Sequence, residues 1–516
     1  MDKIKKTIKK AKIWIKQNPK EAAILAAILI VGAFLRLYRI GEYMTFLGDE
    51  GRDVIVVGRL LTEGDLILVG PGTSIGNMYL GPLYYYMMAP ALFLARYSPI
   101  GPAIQIALLG IATIFFVWLV GREWFGKRVA FIAAFLYTIA PTVIIYSRSS
   151  WNPNIMPFFS LLCIYGLWKI WQKSEWKWLV ITAVSFAFTL QSHYLGLILI
   201  PILGIFWLLT FLKSRKTKKT KSFLRHTVHA VILFAVLMSP LIVFDARHNW
   251  RNFSSMKKFF TERQTTVSAR PWTGLPKVIP ITQEINTRLL AGHDEEVGKW
   301  LTVGIFAGTF WLVTIRWKKI KKGERQALIL IGTWLVFSVI GLATYKQHIY
   351  DHYYGFFFPA PFLLVGVIAK HVSDKWKTFG KLAIIVALGC LVFVNLKNSP
   401  LRYSPNKQMQ RSEEVAEKII NEAGDEKFNL AVIAERNYEG AYQYFLEKEG
   451  APIIMIDPQK AEETITELLF VVCELPDEKC NPVNNPKAEI ANFGWSKIDE
   501  QWVVAGTILY KLVPAR

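Results

Sequence analysis

Pro82-Leu83-Tyr84-Tyr85-Tyr86-Met87-Met88-Ala89-Pro90-Ala91-Leu92-Phe93-Leu94-Ala95 is the stretch on which the topology of the whole chain turns. It is apolar, but 14 residues of α-helix rise only ~21 Å, short of a hydrocarbon core about 30 Å thick. If it does not cross, the short basic connections at Arg122/Lys127/Arg128, Lys173/Lys177, 213–225, 316–325 and 370–381 all fall on the side of the N-terminal lysines. That is the positive-inside arrangement, and a crossing at 82–95 would turn every one of those loops outward. The stretch is therefore read as a re-entrant or interfacial helix on the outer face.

Working outward, 53% of the 516 residues are hydrophobic and 14% aromatic, too apolar for a soluble chain of this size. The formal net charge of +22 comes in short blocks between apolar runs, which fits membrane topology and gives no basic face for nucleic acid. Residues 1–20 form a basic cytoplasmic tail with eight Lys and one Asp, ahead of an uncleaved signal-anchor helix. Eleven spans of about 20 apolar residues are expected, at 21–38, 101–120, 128–146, 154–172, 177–191, 194–212, 227–244, 299–316, 326–344, 355–370 and 379–396. The run 178–212 would be a helix of ~52 Å, so it must turn, at Gln191-Ser192-His193-Tyr194.

The expected architecture is an all-α polytopic membrane protein with outer juxtamembrane helices, followed by a small α/β domain. Residues 21–396 make the transmembrane domain, with an outer loop at 38–100 that includes a surface helix bearing Arg52, Arg59 and Glu63 on one face. Residues 397–516 hold 14 Lys+Arg against 20 Asp+Glu and no long apolar run. Strands are expected at 428–434, 452–456, 468–473 and 502–512, with helices at 413–423 and 440–448. This domain is extracytoplasmic in the same topology, and Cys473 and Cys480 there are either a small disulfide loop or two thiols.

No Asp, Glu, Arg or Lys lies near the middle of an assigned span, which weighs against an ion-coupled transporter. Five polar clusters instead emerge at the outer interface: Asp49-Glu50, 146–152, 191–194, 245–252 and 345–354. Each has a bland reading. Asp49 and Glu50 can cap the surface helix, Arg148 and Lys346 can snorkel to headgroups, and the Tyr and Trp residues can form an interfacial belt. His348 and His352 are four apart and would share a face if that stretch were helical, but Asp351-His352-Tyr353-Tyr354 begins a span, and metal ligation by these and His193 is the minority reading.

The adjacent Asp49-Glu50 after the first span, Gly81-Pro82-Leu83-Tyr84-Tyr85, Gly121-Arg122 to Phe125-Gly126 before a span, and Tyr146-Ser147-Arg148 after it stand in an order that resembles one family. It is the polyprenyl-phosphate-dependent C-type glycosyltransferases, in particular the protein O-mannosyltransferase and lipid A aminoarabinose transferase group. The resemblance covers residues 20 to about 396. Gly81 stands where that group usually has Pro, Lys or His, and 149–152 has no acidic residue where some relatives carry one. The resemblance implies an inverting hexosyl- or pentosyl-transferase at the cell membrane. It would take its sugar from a polyprenyl-phosphate donor, held by its tail in an apolar groove among membrane lipids, and pass it to a protein, lipid or cell-wall glycan acceptor.

By the same resemblance Asp49 is the general base, with Glu50 orienting the acceptor or Asp49 itself. Arg52, Arg148 and Lys346 would neutralise phosphate, and Asn152, His193, Asp351, His352 and Tyr353 would complete the binding site. No cofactor is implied firmly; relatives with an oligosaccharyl donor use a divalent cation, so one stays open here. Two other classes share the composition: a lipid-linked glycan flippase, which would leave its substrate covalently unchanged, and a membrane-anchored binding module, which would act through residues 397–516 alone.

Overall fold

The computed structural model describes residues 2–73, 78–262 and 270–515. Among these, seven helices are long and apolar enough to cross a membrane: Ile100–Phe125, Asn152–Lys173, Tyr194–Lys216, Thr220–Arg247, Glu295–Lys319, Lys322–Ala343 and Pro359–Lys397. The chain is a multi-pass membrane protein. The other expected spans are helical too, but shorter, more polar or fused. Residues 21–38 fall on Pro19–Leu37, which carries Lys20, Glu21 and Arg36. Residues 128–146 divide into Lys127–Ile139 and Pro141–Ile145, because Pro141 ends the first helix at Ala140 and starts the second. Residues 177–191 form Trp178–Ser192, 15 residues long. Expected spans 355–370 and 379–396 run together as Pro359–Lys397, bent where Lys377 takes φ 44°.

The turn expected at 191–194 is present. His193 is extended, and Gly196 lies so close to the end of Trp178–Ser192 that a Cβ there would sit 3.0 Å from the Leu190 Cα. The deciding stretch folds as the helix Leu83–Leu94, of only 12 residues. Its buried Tyr84, Tyr85, Met88 and Leu92 pack between Gly48–Thr62 and Ile100–Phe125, while Phe93 and Leu94 are exposed.

Residues beyond Lys397 form a four-stranded sheet: β1 Asn429–Ile433, β2 Leu469–Cys473, β3 Ser496–Val504 and β4 Thr507–Pro514, in the order β1-β2-β4-β3. β1 and β2 are parallel and the other pairs antiparallel. Two strand expectations differ. Residues 502–512 are not one strand but the two arms of a hairpin, since Ala505 (φ 48°) and Gly506 (φ 79°) make a two-residue turn with both φ values positive. Residues 452–456 contribute only an isolated bridge, Phe428 to Ile453. Cys473 and Cys480 are joined in a disulfide, with their Cα atoms 6.0 Å apart.

The surface helix Gly48–Thr62 departs from an arrangement with one face in lipid and the other in water. Its charged face meets the sheet domain, where Arg59 Nη2 lies 3.1 Å from Glu447 Oε1. Gly51 and Gly440 allow the backbones to touch: a Cβ on Gly51 would fall 2.2 Å from the Gly440 carbonyl oxygen, and one on Gly440 would fall 2.3 Å from that of Gly48. One apolar cluster then runs through both parts, from Val54, Val57, Tyr85 and Met88 to Tyr442 and Phe445.

Candidate active site

The helix Gly48–Thr62 starts at Leu47, whose side chain can cap nothing. Its first amides find carboxylate and amide oxygens elsewhere: the Leu47 N–H donates to Glu50 Oε2 at 3.0 Å, and the Gly48 N–H donates to Asn437 Oδ1 at 2.8 Å. The capping role open to both carboxylates thus falls to Glu50, which is 5% exposed. Asp49 does something else. Its Oδ1 accepts from Arg52 Nη1 at 2.8 Å and from the Tyr438 hydroxyl at 2.7 Å. Its Oδ2 has no hydrogen-bond partner among the described residues, and the side chain is 38% exposed.

Arg52 is itself held from behind. Its Nε and Nη2 donate to Asp53 Oδ1 at 3.0 and 2.7 Å, the same oxygen that accepts from the Tyr85 hydroxyl at 3.0 Å. Asp53 is fully buried and its Oδ2 is unpaired. Burial pushes the Asp53 carboxyl up to about 6, against the pull of Arg52. Burial works to lower the Arg52 guanidinium, but Asp53 first, then Tyr85, Tyr438 and Asp49, hold it above its ordinary value. Tyr438 rises through burial, with Arg52 opposing and Asp49 adding to the rise.

Glu50 is pushed up to about 8, by burial first and by the charge of Asp49 second. The folded state therefore favours its protonated form, and the stability it contributes is complete below the ordinary value near 4.5 and lost as pH rises through about 8. The melting temperature in detergent should fall between about pH 5 and about pH 8.5, and Glu50→Gln, which keeps an acceptor for Leu47, should remove part of that fall. An identical fall in the variant would contradict the assignment.

Three of the other polar clusters come together on rings. The His352 ring centroid is 4.5 Å from Trp151, 4.6 Å from Tyr353 and 6.1 Å from His193, and His193 is 4.9 Å from Tyr353. Burial pushes His193 down to about 4 and, with His193 as a second cause, His352 down to about 3, so both rings are neutral at pH 7. Asn152 is buried and ties two of these segments, its Nδ2 donating to the Ser192 carbonyl at 2.6 Å. The short helix connects this group with the carboxylates: Tyr85 reaches Asp53, and the Tyr84 hydroxyl lies 2.6 Å from Ser150 Oγ. From the sheet domain, Arg436 stands over Tyr350, 5.8 Å from its ring. The 245–252 cluster is structural, with the Asp245 carboxylate accepting from the Asn252 and Phe253 amides at 2.6 and 2.9 Å.

Two expected phosphate ligands lie differently. Arg148 is 2% exposed and donates to the Leu35 and Tyr38 carbonyls, both at 2.6 Å. These are orphan acceptors at the end of Pro19–Leu37, and Arg148 closes that helix. Lys346 is exposed, just beyond Lys322–Ala343. Asp351 sits 3.8 Å from Arg288, whose Nη1 donates to His293 Nδ1 at 2.9 Å. Burial raises Asp351, while His293 and Arg288 draw it back.

Asp53, Tyr85, Arg288, His293 and the segment 435–438 were not picked out from the sequence. Tyr85 ends the Gly81-Pro82-Leu83-Tyr84-Tyr85 motif, Asp53 directly follows Arg52 on the surface helix, and Glu435-Arg436-Asn437-Tyr438 is a polar loop leaving the end of an expected strand, where sites often sit. Among the described residues, no group of three or more His, Cys, Asp or Glu side chains converges to hold a metal ion. An apolar groove of about 510 Å³ is lined by Leu275, Ile285, Phe306, Leu328, Val336 and Phe357. Phe357 belongs to the same turn, Asp351–Phe357, as His352 and Tyr353.

A family model described as dolichyl-phosphate-mannose-protein mannosyltransferase matches residues 80–243. The "Putative mannosyltransferase YkcB" of Bacillus subtilis (strain 168) is 28% identical over 141 residues, a match spanning 27% of this chain and 19% of that protein. The crystal structure of ArnT from Cupriavidus metallidurans bound to undecaprenyl phosphate covers 96% of this chain and 98% of its own, with a TM-score of 0.58 at 14% identity. The archaeal oligosaccharyltransferase AglB from Archaeoglobus fulgidus, in complex with an inhibitory peptide and a dolichol-phosphate, covers 89% of this chain and 70% of its own, with a TM-score of 0.54 at 14% identity. The fold is shared with ArnT and AglB over most of the chain.

Proposed function

We propose that this chain is an integral-membrane glycosyltransferase that moves one sugar from a polyprenyl-phosphate donor to an acceptor hydroxyl on the outer face of the cell membrane. The observation that carries the reading is the Asp49 carboxylate, with one oxygen bound by Arg52 and Tyr438 and the other free and reachable. In the reaction the acceptor O–H gives its proton to Asp49 Oδ2 as its oxygen bonds to the anomeric carbon. The bond from that carbon to the phosphate oxygen breaks, and the polyprenyl phosphate departs with the electron pair. A single displacement with one base inverts the anomeric centre.

Arg52 is the cation in contact with that base; four of its five N–H groups are held by Asp53, Asp49 and Tyr438, so it offers the phosphate its charge and one remaining Nη2 N–H, with Lys346 a second cation for the same charge. The neutral rings of Trp151, His193, His352 and Tyr353 offer apolar faces of the kind that pack against a sugar. The apolar groove that Phe357 helps to line suits the polyprenyl tail. The family matching 80–243 is described by a lipid-phosphate donor, and ArnT, which shares the fold, was solved with such a lipid; both support the donor class. The basic loops support an orientation with the N-terminus in the cytoplasm and residues 397–516 outside. The Cys473–Cys480 disulfide fits an oxidising compartment.

The full chain, purified in detergent and given polyprenyl-phosphate hexoses and pentoses with candidate protein, lipid and glycan acceptors, should release free polyprenyl phosphate in equal amount to glycosylated product, read by mass spectrometry. Lipid movement across liposomes with no covalent product from any donor would favour a flippase and overturn the reading. Donors accumulating in a deletion strain would name the sugar.

A further inference from the structure

The sheet domain does more than rest on the membrane domain: it puts a hydroxyl on the proposed base. Tyr438 leaves β1 through the loop 434–438 and lays its ring on Gly48, where a Cβ would fall 2.5 Å from the ring carbon Cδ1. Its hydroxyl donates to Asp49 Oδ1 at 2.7 Å and accepts from Arg52 Nη1 at 3.0 Å, closing a triangle with the Arg52–Asp49 bond. A carboxylate on a two-torsion side chain, exposed at 38%, would otherwise exchange its oxygens freely. With Oδ1 engaged twice, Oδ2 is the oxygen presented outward. Asn437 fixes the loop, its Oδ1 accepting from both the Gly48 and the Tyr438 amides at 2.8 and 2.9 Å.

We infer that Tyr438, carried by the C-terminal domain, is a positioning residue for the reaction, orienting Asp49 so that Oδ2 meets the acceptor hydroxyl. The inference rests on Asp49 being the base. A hydroxyl bound to a charged partner contributes enough that its loss should be visible in turnover. Because the donor phosphate is met by Arg52, which keeps its two bonds to Asp53, the loss should fall on turnover and not on donor binding.

The test uses the full-length protein in detergent with a polyprenyl-phosphate sugar that it accepts. Tyr438→Phe keeps the ring on Gly48 and removes only the hydroxyl. Its kcat should fall about tenfold or more, with donor KM within about twofold and the melting temperature little changed. Glu447→Gln, which weakens the same domain contact at Arg59 away from the carboxylates, should leave kcat as it is. Unchanged kcat in Tyr438→Phe, a loss carried by donor KM, or an equal loss in Glu447→Gln would overturn the inference. Asp49→Asn separates the two claims: full turnover there removes the base assignment itself, whereas an inactive Asp49→Asn beside a fully active Tyr438→Phe removes only the positioning role.

Discussion

Asp49→Asn should lower kcat by about 10²- to 10⁴-fold, the contribution typical of a positioned general base. The substitution is close to isosteric, and an Asn Oδ1 can still accept from Arg52 and Tyr438, so the local geometry should survive. What disappears is the proton acceptor, because an amide nitrogen takes the place of Oδ2. Donor affinity, read by KM or by direct binding of the lipid phosphate, should change much less than turnover, since Arg52 remains anchored on Asp53. A folded Asp49→Asn enzyme with wild-type kcat would exclude the assignment.

The second large effect is on assembly. Gly51→Ala should separate the C-terminal domain from the surface helix, since the new methyl would fall 2.2 Å from the Gly440 oxygen and 2.4 Å from the Ala441 nitrogen. Both are backbone atoms, which cannot rotate away, and overpacking of this kind costs ~1–3 kcal/mol or more. The same substitution at Gly58, on the same helix with nothing within 4 Å, should be neutral or stabilise by ~1 kcal/mol. Thermal unfolding and protease sensitivity of residues 397–516 in the two variants measure the contrast. Equal behaviour of the two would mean that the backbone contact carries no weight.

Asp49 was legible because two adjacent carboxylates beside an expected membrane surface need a reason, and the choice between capping and chemistry could be posed from residue types alone. The answer was not, since Glu50 takes the cap and Asp49 takes a hydroxyl from a residue 389 positions away. Arg148 shows the opposite limit. A cation just after a span suits a phosphate or a headgroup, and nothing local reveals that the carbonyls it meets belong to Leu35 and Tyr38. Hydropathy located the helices and the basic break at 370–381, but not that the chain stays helical through that break with a bend at Lys377, nor that Pro141 divides 128–146. In the C-terminal domain, helix 440–448 was plain from its composition, while Ala505-Gly506 hid a turn because Ala seldom takes positive φ.

The distance in sequence between Asp49 and Tyr438 also sets a timetable. At a synthesis rate of about 5–20 residues per second, the ribosome needs roughly 20 to 80 s to travel from one to the other. Through that interval the nascent membrane domain carries Asp49 without its tyrosine, Gly48 without the amide oxygen that caps it, and an apolar patch at Val54, Val57, Tyr85 and Met88 without its cover. The proposed site, with partners 389 positions apart, is thus completed only once residue 438 has been made, and any product truncated before it lacks the tyrosine.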